Sequence, residues 1–281
     1  MRWYIFVLLL LGAVWAGVVA AQRQLSGLPL APSPASVVSS LREVLTPRLT
    51  KTEQPRVQIT ASVPILMYHH IQALPTDQQG TIDWGLSISP EAFEQQLAWL
   101  SKQKYQSATM LELMTDSLPS KPIILTFDDG YEDFYTQAWP LLKKYGFSAT
   151  VYMITNRLGS PGFLTADQVT SLANAGLEIG SHSVSHPNIS KMSGQKLAAE
   201  LVDSRTTLRR LTSQSVTTFC YPSGQYSDVA VAAVEAAGYR SAVTTQEGIA
   251  DSSNPFTLKR LRIKPSLTQA GFAELILSQS K

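Results

Sequence analysis

A single cysteine, Cys220, in a chain of 281 residues excludes an internal disulfide framework and any cysteine-rich zinc site. Stability therefore has to come from core packing, and any metal ligands from histidine and carboxylate. Histidine is scarce as well: His69, His70, His182 and His186 are the whole complement, which makes their placement informative. Charge is sparse and balanced. With 23 Lys+Arg against 21 Asp+Glu the formal net charge is +2, too little for the broad basic footprint that a nucleic-acid partner needs. What is present is a 44% hydrophobic composition with 16% charged residues, which excludes a wholly disordered chain and supports a sizeable core.

Residues Trp3 to Ala21 form an uninterrupted apolar stretch behind Arg2, with no acidic residue. Such a run reads as a membrane-targeting segment, so the chain is expected to be exported. Its length lies between a cleaved signal peptide and an uncleaved anchor, and Val19-Ala20-Ala21 is a passable cleavage site. The expectation is an anchor, with Arg2 inside and the bulk of the protein periplasmic or on the outer face of the membrane; cleavage, leaving a secreted form, is the alternative. From Gln22 to Ser62 the chain turns to Pro, Ser and Thr, the composition of a tether.

After Pro64, short apolar runs rich in β-branched or aromatic residues alternate with amphipathic stretches, the pattern of βα units and a parallel sheet. The expected strands are Ile65–His70, Ile123–Phe127, Ala149–Ile154, Glu178–Gly180, Thr218–Tyr221, Ser241–Thr244 and Leu258–Ile263. Seven strands suggest a barrel in a single α/β domain over residues 63–281. Ser89-Pro90 opens a helix with Phe93, Leu97 and Leu100 on one face, Thr165 and Gln168 make a capping box, and Ser227 caps a helix that ends near Gly238.

In a parallel barrel, functional residues come from the C-terminal ends of the strands and the loops that follow. Thr126-Phe127-Asp128-Asp129-Gly130 puts two adjacent carboxylates at a strand exit. They repel, and along an extended strand they point to opposite faces, so a turn at Gly130 and a cation are the natural means of bringing both into one site. A plain Asp-Asp-Gly turn is the alternative. His182-Ser183-Val184-Ser185-His186 follows another strand with a spacing that suits capture of a divalent metal by both imidazoles. Pro187 disfavours helix there, so a tight loop is expected, with Ser183 and Ser185 as short donors that orient the rings. Tyr221-Pro222-Ser223-Gly224 ends a third strand in a turn whose backbone N–H groups could face substrate or a developing oxyanion. Tyr68-His69-His70 ends the first.

Taken in this order, the groups resemble the polysaccharide deacetylase family, whose domain is the NodB-homology domain. Thr126 to Gly130 matches its T-F-D-D-G motif, and His182 to His186 its H-[S/T]-x-x-H motif. The resemblance implies a distorted (β/α)7 barrel, a divalent metal held by one Asp and two His, and hydrolytic removal of acetyl groups from carbohydrate. On that basis Asp129, His182 and His186 are expected to hold the metal, zinc first with cobalt or nickel as alternatives, and Asp128 to be the base. The Arg-Pro-Pro segment, the Asp-x-x-Asp-Trp segment and the C-terminal Leu-x-His of many members are missing, and no histidine follows His186. The start Pro64 to Ile71, followed by Ser89-Pro90-Glu91-Ala92-Phe93, is similar to the circularly permuted branch that includes poly-N-acetylglucosamine deacetylases, and in that branch the acid role falls to His69. Arg260 either orients Asp128, as an arginine in the family's L-x-R pattern would, or is a solvated cation among Lys259, Arg262 and Lys264. The expected activity is de-N-acetylation of an N-acetylated glycan outside the cytoplasm. O-acetyl ester hydrolysis and non-catalytic glycan binding are the alternatives, and the oligomeric state is left open.

Overall fold

The computed structural model describes residues 63–73, 76–115, 117–250 and 254–278; the expected targeting segment (residues 1–21) and tether (residues 22–62) lie outside the described residues. The described strands are β1 (Ile65–Tyr68), β2 (His70–Ile71), β3 (Ser87–Ile88), β4 (Gln106–Ala108), β5 (Pro122–Phe127), β6 (Thr150–Met153), β7 (Glu178–Ser181), β8 (Thr218–Cys220), β9 (Ser241–Glu247) and β10 (Leu258–Arg262). One sheet runs β1-β10-β9-β8-β7-β6-β5-β4, and β1 also pairs with β5. That extra pairing, Ile65 opposite Ile124 through Tyr68 opposite Phe127, closes seven strands into a barrel. The ladders are parallel, so all the C-terminal strand ends gather at one mouth.

A barrel strand is covered on both faces, by the interior and by the surrounding helices, and therefore reads as a continuous apolar run. Ile123-Ile124-Leu125 in β5 and Val151-Tyr152-Met153 in β6 are buried throughout. Gly180 in β7 is there for space: a Cβ would stand 2.6 Å from the Tyr152 ring, which fills the interior and shares a 2.9 Å hydrogen bond with the Thr218 hydroxyl. Outside, the helix Pro90–Lys102 starts on Ser89, whose hydroxyl accepts from the Ala92 N–H, and buries Phe93, Leu97 and Leu100. The Thr165–Gln168 capping box has both of its arms, and the Ser227 hydroxyl caps the helix Asp228–Ala236. Among the described residues no helix is long and apolar enough to cross a membrane.

The strand expectations need correction at β1 to β3 and at β4. The expected strand Ile65–His70 stops at Tyr68, because β5 leaves the ladder where its chain turns: the Asp128 N–H makes the last bond, to the Tyr68 carbonyl. His70 and Ile71 pair instead with Ser87 and Ile88 in a separate two-stranded sheet. The short β4 was not expected, since Gln106-Ser107-Ala108 has neither a β-branched nor an aromatic residue; it forms against the N-terminal half of β5.

At the end of the barrel opposite the mouth, Glu178 opens β7 as a buried carboxyl. One oxygen accepts from the Thr150 hydroxyl at 2.8 Å and the Leu111 N–H at 3.0 Å, and the other has no partner. Burial pushes its pKa up to about 7. Because the folded value is raised above the ordinary 4.5, the fold favours the protonated form, and stability is lost as pH rises from the ordinary value through about 7. Glu178→Gln is expected to raise Tm at pH 8 by roughly 2–8 °C and to change it little at pH 5. An equal effect at both pH values in thermal melts would count against this assignment.

Candidate active site

The two carboxylates of the strand exit reach the mouth through backbone geometry. The turn starts one residue earlier than expected: Asp129 (φ 71°) and Gly130 (φ 79°) both occupy the left-handed region, and the Gly130 N–H donates to the Asp128 carbonyl at 2.9 Å. Asp129, where such a φ is strained, is thereby swung away from the alternation of β5. Gly130 needs both its φ and its bareness, since a Cβ there would lie 2.6 Å from the Met153 side chain.

Asp129 faces both histidines of the second motif. Its Oδ1 is 3.4 Å from His182 Nε2 and 3.7 Å from His186 Nε2, and the three ligating atoms lie within 4.8 Å of one another. These separations are long for direct hydrogen bonds and leave room for a shared cation. His182 is held as a ligand should be: its Nδ1 lies 2.7 Å from the Cys220 carbonyl, which as an acceptor places a proton on Nδ1 and turns Nε2 toward Asp129. Burial lowers the His186 pKa, which favours the neutral ring that a metal requires. One hard carboxylate and two imidazoles at a partly open site fit a divalent cation with positions left over for water and substrate. A second set, Asp128, His182 and Cys220, is also close enough. It fits poorly, because Asp128 is engaged elsewhere and burial pushes the Cys220 thiol up, away from the thiolate a metal needs.

Asp128 is bound by Arg260. The guanidinium is fully buried and forks onto the carboxylate, Nη1 to Oδ1 and Nη2 to Oδ2, both at 2.7 Å. Its remaining N–H groups go to the Thr244 carbonyl at 2.9 Å, the Thr126 hydroxyl at 2.9 Å and the Cys220 sulfur at 3.3 Å, so each of its five donors has an acceptor. It is not a solvated cation. Burial works to raise the Asp128 pKa, but the Arg260 charge and hydrogen bonds overcome it and hold the carboxyl well below the usual range. His69 Nε2 lies 3.8 Å from Asp128 Oδ2. Burial lowers the His69 pKa, opposed by the charges of Asp128 and Asp129. His70 turns away from this site: its Nδ1 is bound by the Asp133 carboxylate, and its ring stacks on Tyr131 with centroids 3.6 Å apart.

Other expectations are corrected. Ser183 and Ser185 do not touch a ring nitrogen. The Ser183 hydroxyl accepts from the His186 N–H at 2.9 Å, and Ser185 donates to Glu200 at 2.6 Å. Of the three residues expected to face substrate or an oxyanion, Tyr221, Pro222 and Ser223, two offer no free backbone donor: the Tyr221 N–H goes to the Val243 carbonyl and Pro222 has none, while the Gly224 N–H closes the turn onto the Tyr221 carbonyl. The Tyr221 ring is buried against Phe219 and Tyr226, which makes it a wall of the barrel. The sequence reading missed two groups that shape the site. One is the Cys220 carbonyl, a backbone atom with no side-chain signal. The other is Glu200 on the helix Gly194–Thr212, which accepts from the Val184 and Ser185 N–H groups at 2.8 and 2.9 Å as well as from the Ser185 hydroxyl.

A family model described as polysaccharide deacetylase matches residues 115–242. The Bacillus subtilis protein YxkH, named as a polysaccharide deacetylase, is 35% identical over 234 residues, which span 81% of this chain and 79% of that protein. A poly-beta-1,6-N-acetyl-D-glucosamine N-deacetylase of Staphylococcus aureus is 27% identical over 196 residues, 63% of this chain and 68% of that protein. Among solved structures, the Streptococcus pyogenes deacetylase PplD in complex with acetate matches with a TM-score of 0.71 at 32% identity, covering 76% of this chain and 98% of that one. The chain belongs to the polysaccharide deacetylase family, and it is a hydrolytic deacetylase with the distorted (β/α)7 barrel of that family.

Two outcomes follow from the geometry. Glu200→Ala removes three hydrogen bonds from the loop that carries His186, and is expected to weaken Co2+ binding to the metal-free protein by roughly ten- to a hundredfold while Tm of the metal-free protein falls by only a few degrees; unaltered Co2+ affinity would dismiss the role. Arg260→Gln takes away the cation that keeps Asp128 ionised, so the Asp128 pKa rises and the acidic limb of the pH–rate profile moves to higher pH. A profile unchanged on the acid side would separate Arg260 from the base.

Proposed function

We propose that this chain removes N-acetyl groups from an amino-sugar polysaccharide of the cell envelope or extracellular matrix, with a divalent metal, zinc first, held by Asp129, His182 and His186. The observation that carries the reading is the meeting, at one mouth, of that ligand triad with a carboxylate kept ionised by Arg260 and a half-buried histidine 3.8 Å from it. The Staphylococcus aureus relative, named for poly-beta-1,6-N-acetyl-D-glucosamine, supports the substrate class. The apolar run Trp3 to Ala21 supports a position outside the cytoplasm.

An amide does not part from its amine until the nitrogen is protonated, so the site needs both a base for water and an acid for the leaving group. A divalent cation at the triad would supply polarisation of the acetyl carbonyl and a lowered pKa for the attacking water, which narrows the gap over which a carboxylate of such low pKa has to accept its proton. Asp128 accepts that proton on a carboxylate oxygen whose direction the Arg260 fork fixes. His69 carries the proton that the amine needs: its Nε2 lies 3.8 Å from Asp128 Oδ2, and the charges of Asp128 and Asp129 offset part of the burial that lowers its pKa. Asp129, which sits between the two ligand histidines, keeps its charge for the cation. Ester hydrolysis asks less of the acid, since an alkoxide leaves more readily than an amide anion, and a histidine placed 3.8 Å from the base therefore favours the amide reading.

Asp128→Asn and His69→Ala test the two roles. Each is expected to lower release of acetate from N-acetylglucosamine oligomers by on the order of a hundredfold or more while metal binding persists, and His69→Ala is expected to lower O-acetyl ester hydrolysis far less. His70→Ala, whose ring lies on Tyr131, is expected to act on stability or substrate binding. Turnover that survives complete chelation, or a His70 variant more damaged in acetate release than the His69 variant, would overturn the assignment.

A further inference from the structure

We propose that a second cleft beside the mouth, between the loops that follow β1 and β10, binds a neighbouring sugar ring of the same glycan and admits it in its acetylated, uncharged form. The proposal rests on the amino-sugar reading above. The cleft has a volume of about 200 Å³, which is room for one ring and not for a large ligand. It is walled by Gln72, Trp84, Ser87, Gln96 and Lys264.

Its place follows from the barrel. β1 and β10 are neighbours in the sheet, and the Ile263 N–H bonds the Met67 carbonyl at 3.2 Å, so Lys264 leaves β10 beside the strand that leads into His69. The Tyr68 hydroxyl donates to Gln96 Oε1 at 2.8 Å, which ties the residue before His69 to the cleft wall. Gln72 follows β2, and Ser87 opens β3, its pairing partner.

Its chemistry is that of a sugar site. Gln96 is a buried polar residue on the apolar face of the helix Pro90–Lys102, between Phe93, Leu97 and Leu100. Its carbonyl accepts from Tyr68, which leaves the amide N–H groups as donors on a residue that lines the cleft. Trp84 sits on the short helix Ile82–Leu86, whose start is capped by the Thr81 hydroxyl on the Trp84 N–H at 3.2 Å. It is half-buried, and its indole has no aromatic or cationic partner among the described residues. An indole face beside amide and hydroxyl groups matches a pyranose, with C–H groups on one face and hydroxyls at the edge. The cleft-lining residues include no carboxylate, and their one charge is Lys264. A de-N-acetylated neighbour would bring an ammonium group toward the exposed Lys264, where two like charges repel; an N-acetylated neighbour brings none. The cleft therefore discriminates against units next to those already processed, and sets where along the chain the acetyl groups are removed.

The test compares kcat/KM for the dimer and the pentamer of β-1,6-linked N-acetylglucosamine, and for the pentamer fully acetylated and partly de-N-acetylated. Trp84→Ala is expected to lower the pentamer-to-dimer ratio by about tenfold, through KM and with little change in kcat. Lys264→Gln is expected to shrink the preference for the fully acetylated pentamer. In parallel, calorimetric titration of the pentamer into Asp128→Asn and Asp128→Asn/Trp84→Ala reads binding without turnover, and about a tenfold weaker Kd in the double variant is the supporting result. Ratios and Kd unmoved by Trp84→Ala overturn the cleft. If the wild type releases no acetate from any oligomer, the de-N-acetylase reading fails, and the titration then decides the cleft separately: pentamer binding that depends on Trp84 upholds it, and binding that does not removes it.

Discussion

The buried fork between Arg260 and Asp128 is the interaction on which the site depends. It joins β10 to the exit of β5, and through its other donors Arg260 also reaches β9 at Thr244, the interior of β5 at Thr126 and β8 at Cys220. Taking two ions out of water is expensive, and such a pair contributes little net stability unless every donor is satisfied and both partners are kept. Here every donor is satisfied. The pair's value is in position and charge: with both oxygens bound at 2.7 Å, the Asp128 carboxylate is held in one orientation and stays ionised in the resting site, while the adjacent Asp129 faces His182 and His186. Two neighbouring carboxylates of like charge thus acquire different work, because one has an internal cation and the other lacks one.

The second constraint is backbone strain at the mouth. Asp129, Ser183 and His186 all have positive φ, a conformation that costs non-glycine residues of order 1 kcal/mol or more each and persists where surrounding contacts over-determine it. Those contacts are visible. The Asp129 turn is held between the Asp128 N–H bond to Tyr68 and the Leu164 N–H bond to the Gly130 carbonyl. The histidine loop is held by the Ser183 hydroxyl on the His186 N–H and by Glu200 on two further N–H groups. Strain of this kind brings three ligands from two different strand ends to within 4.8 Å, which relaxed strand ends would not do.

Much of this was legible in the sequence, for a physical reason. Barrel strands are continuous apolar runs, so seven of them could be read directly, and the Asp-Asp-Gly and His-x-x-x-His groups carry their chemistry in side chains at short spacing. What was not legible depends on partners distant in sequence. Gln106-Ser107-Ala108 becomes a strand because β5 offers it a ladder. The run toward His70 is cut because β5 turns away at Asp128. The group behind His182 is the Cys220 carbonyl, 38 residues on, and any residue at that position would present the same atom. Glu200 lies in a helix whose pattern marks it only as polar. Arg260 read equally well as surface or interior, and its burial was decided by Asp128, 132 positions away in sequence.

The two ends of the barrel show how far environment separates identical chemistry. Glu178 and Asp128 are both buried carboxyls in the same parallel sheet, and burial alone pushes both upward. At Glu178 the compensating groups are one hydroxyl and backbone N–H groups, which are neutral, and the carboxyl stays near a pKa of about 7, with one oxygen unpartnered. At Asp128 a guanidinium opposes the same desolvation and wins, and the carboxyl stays ionised. Hydrogen bonds from neutral donors in a low-dielectric interior therefore soften the cost of burial, whereas a matched charge reverses it. That difference identifies the end of the barrel built for charge, and it is the end to which Asp129, His182, His186 and His69 converge.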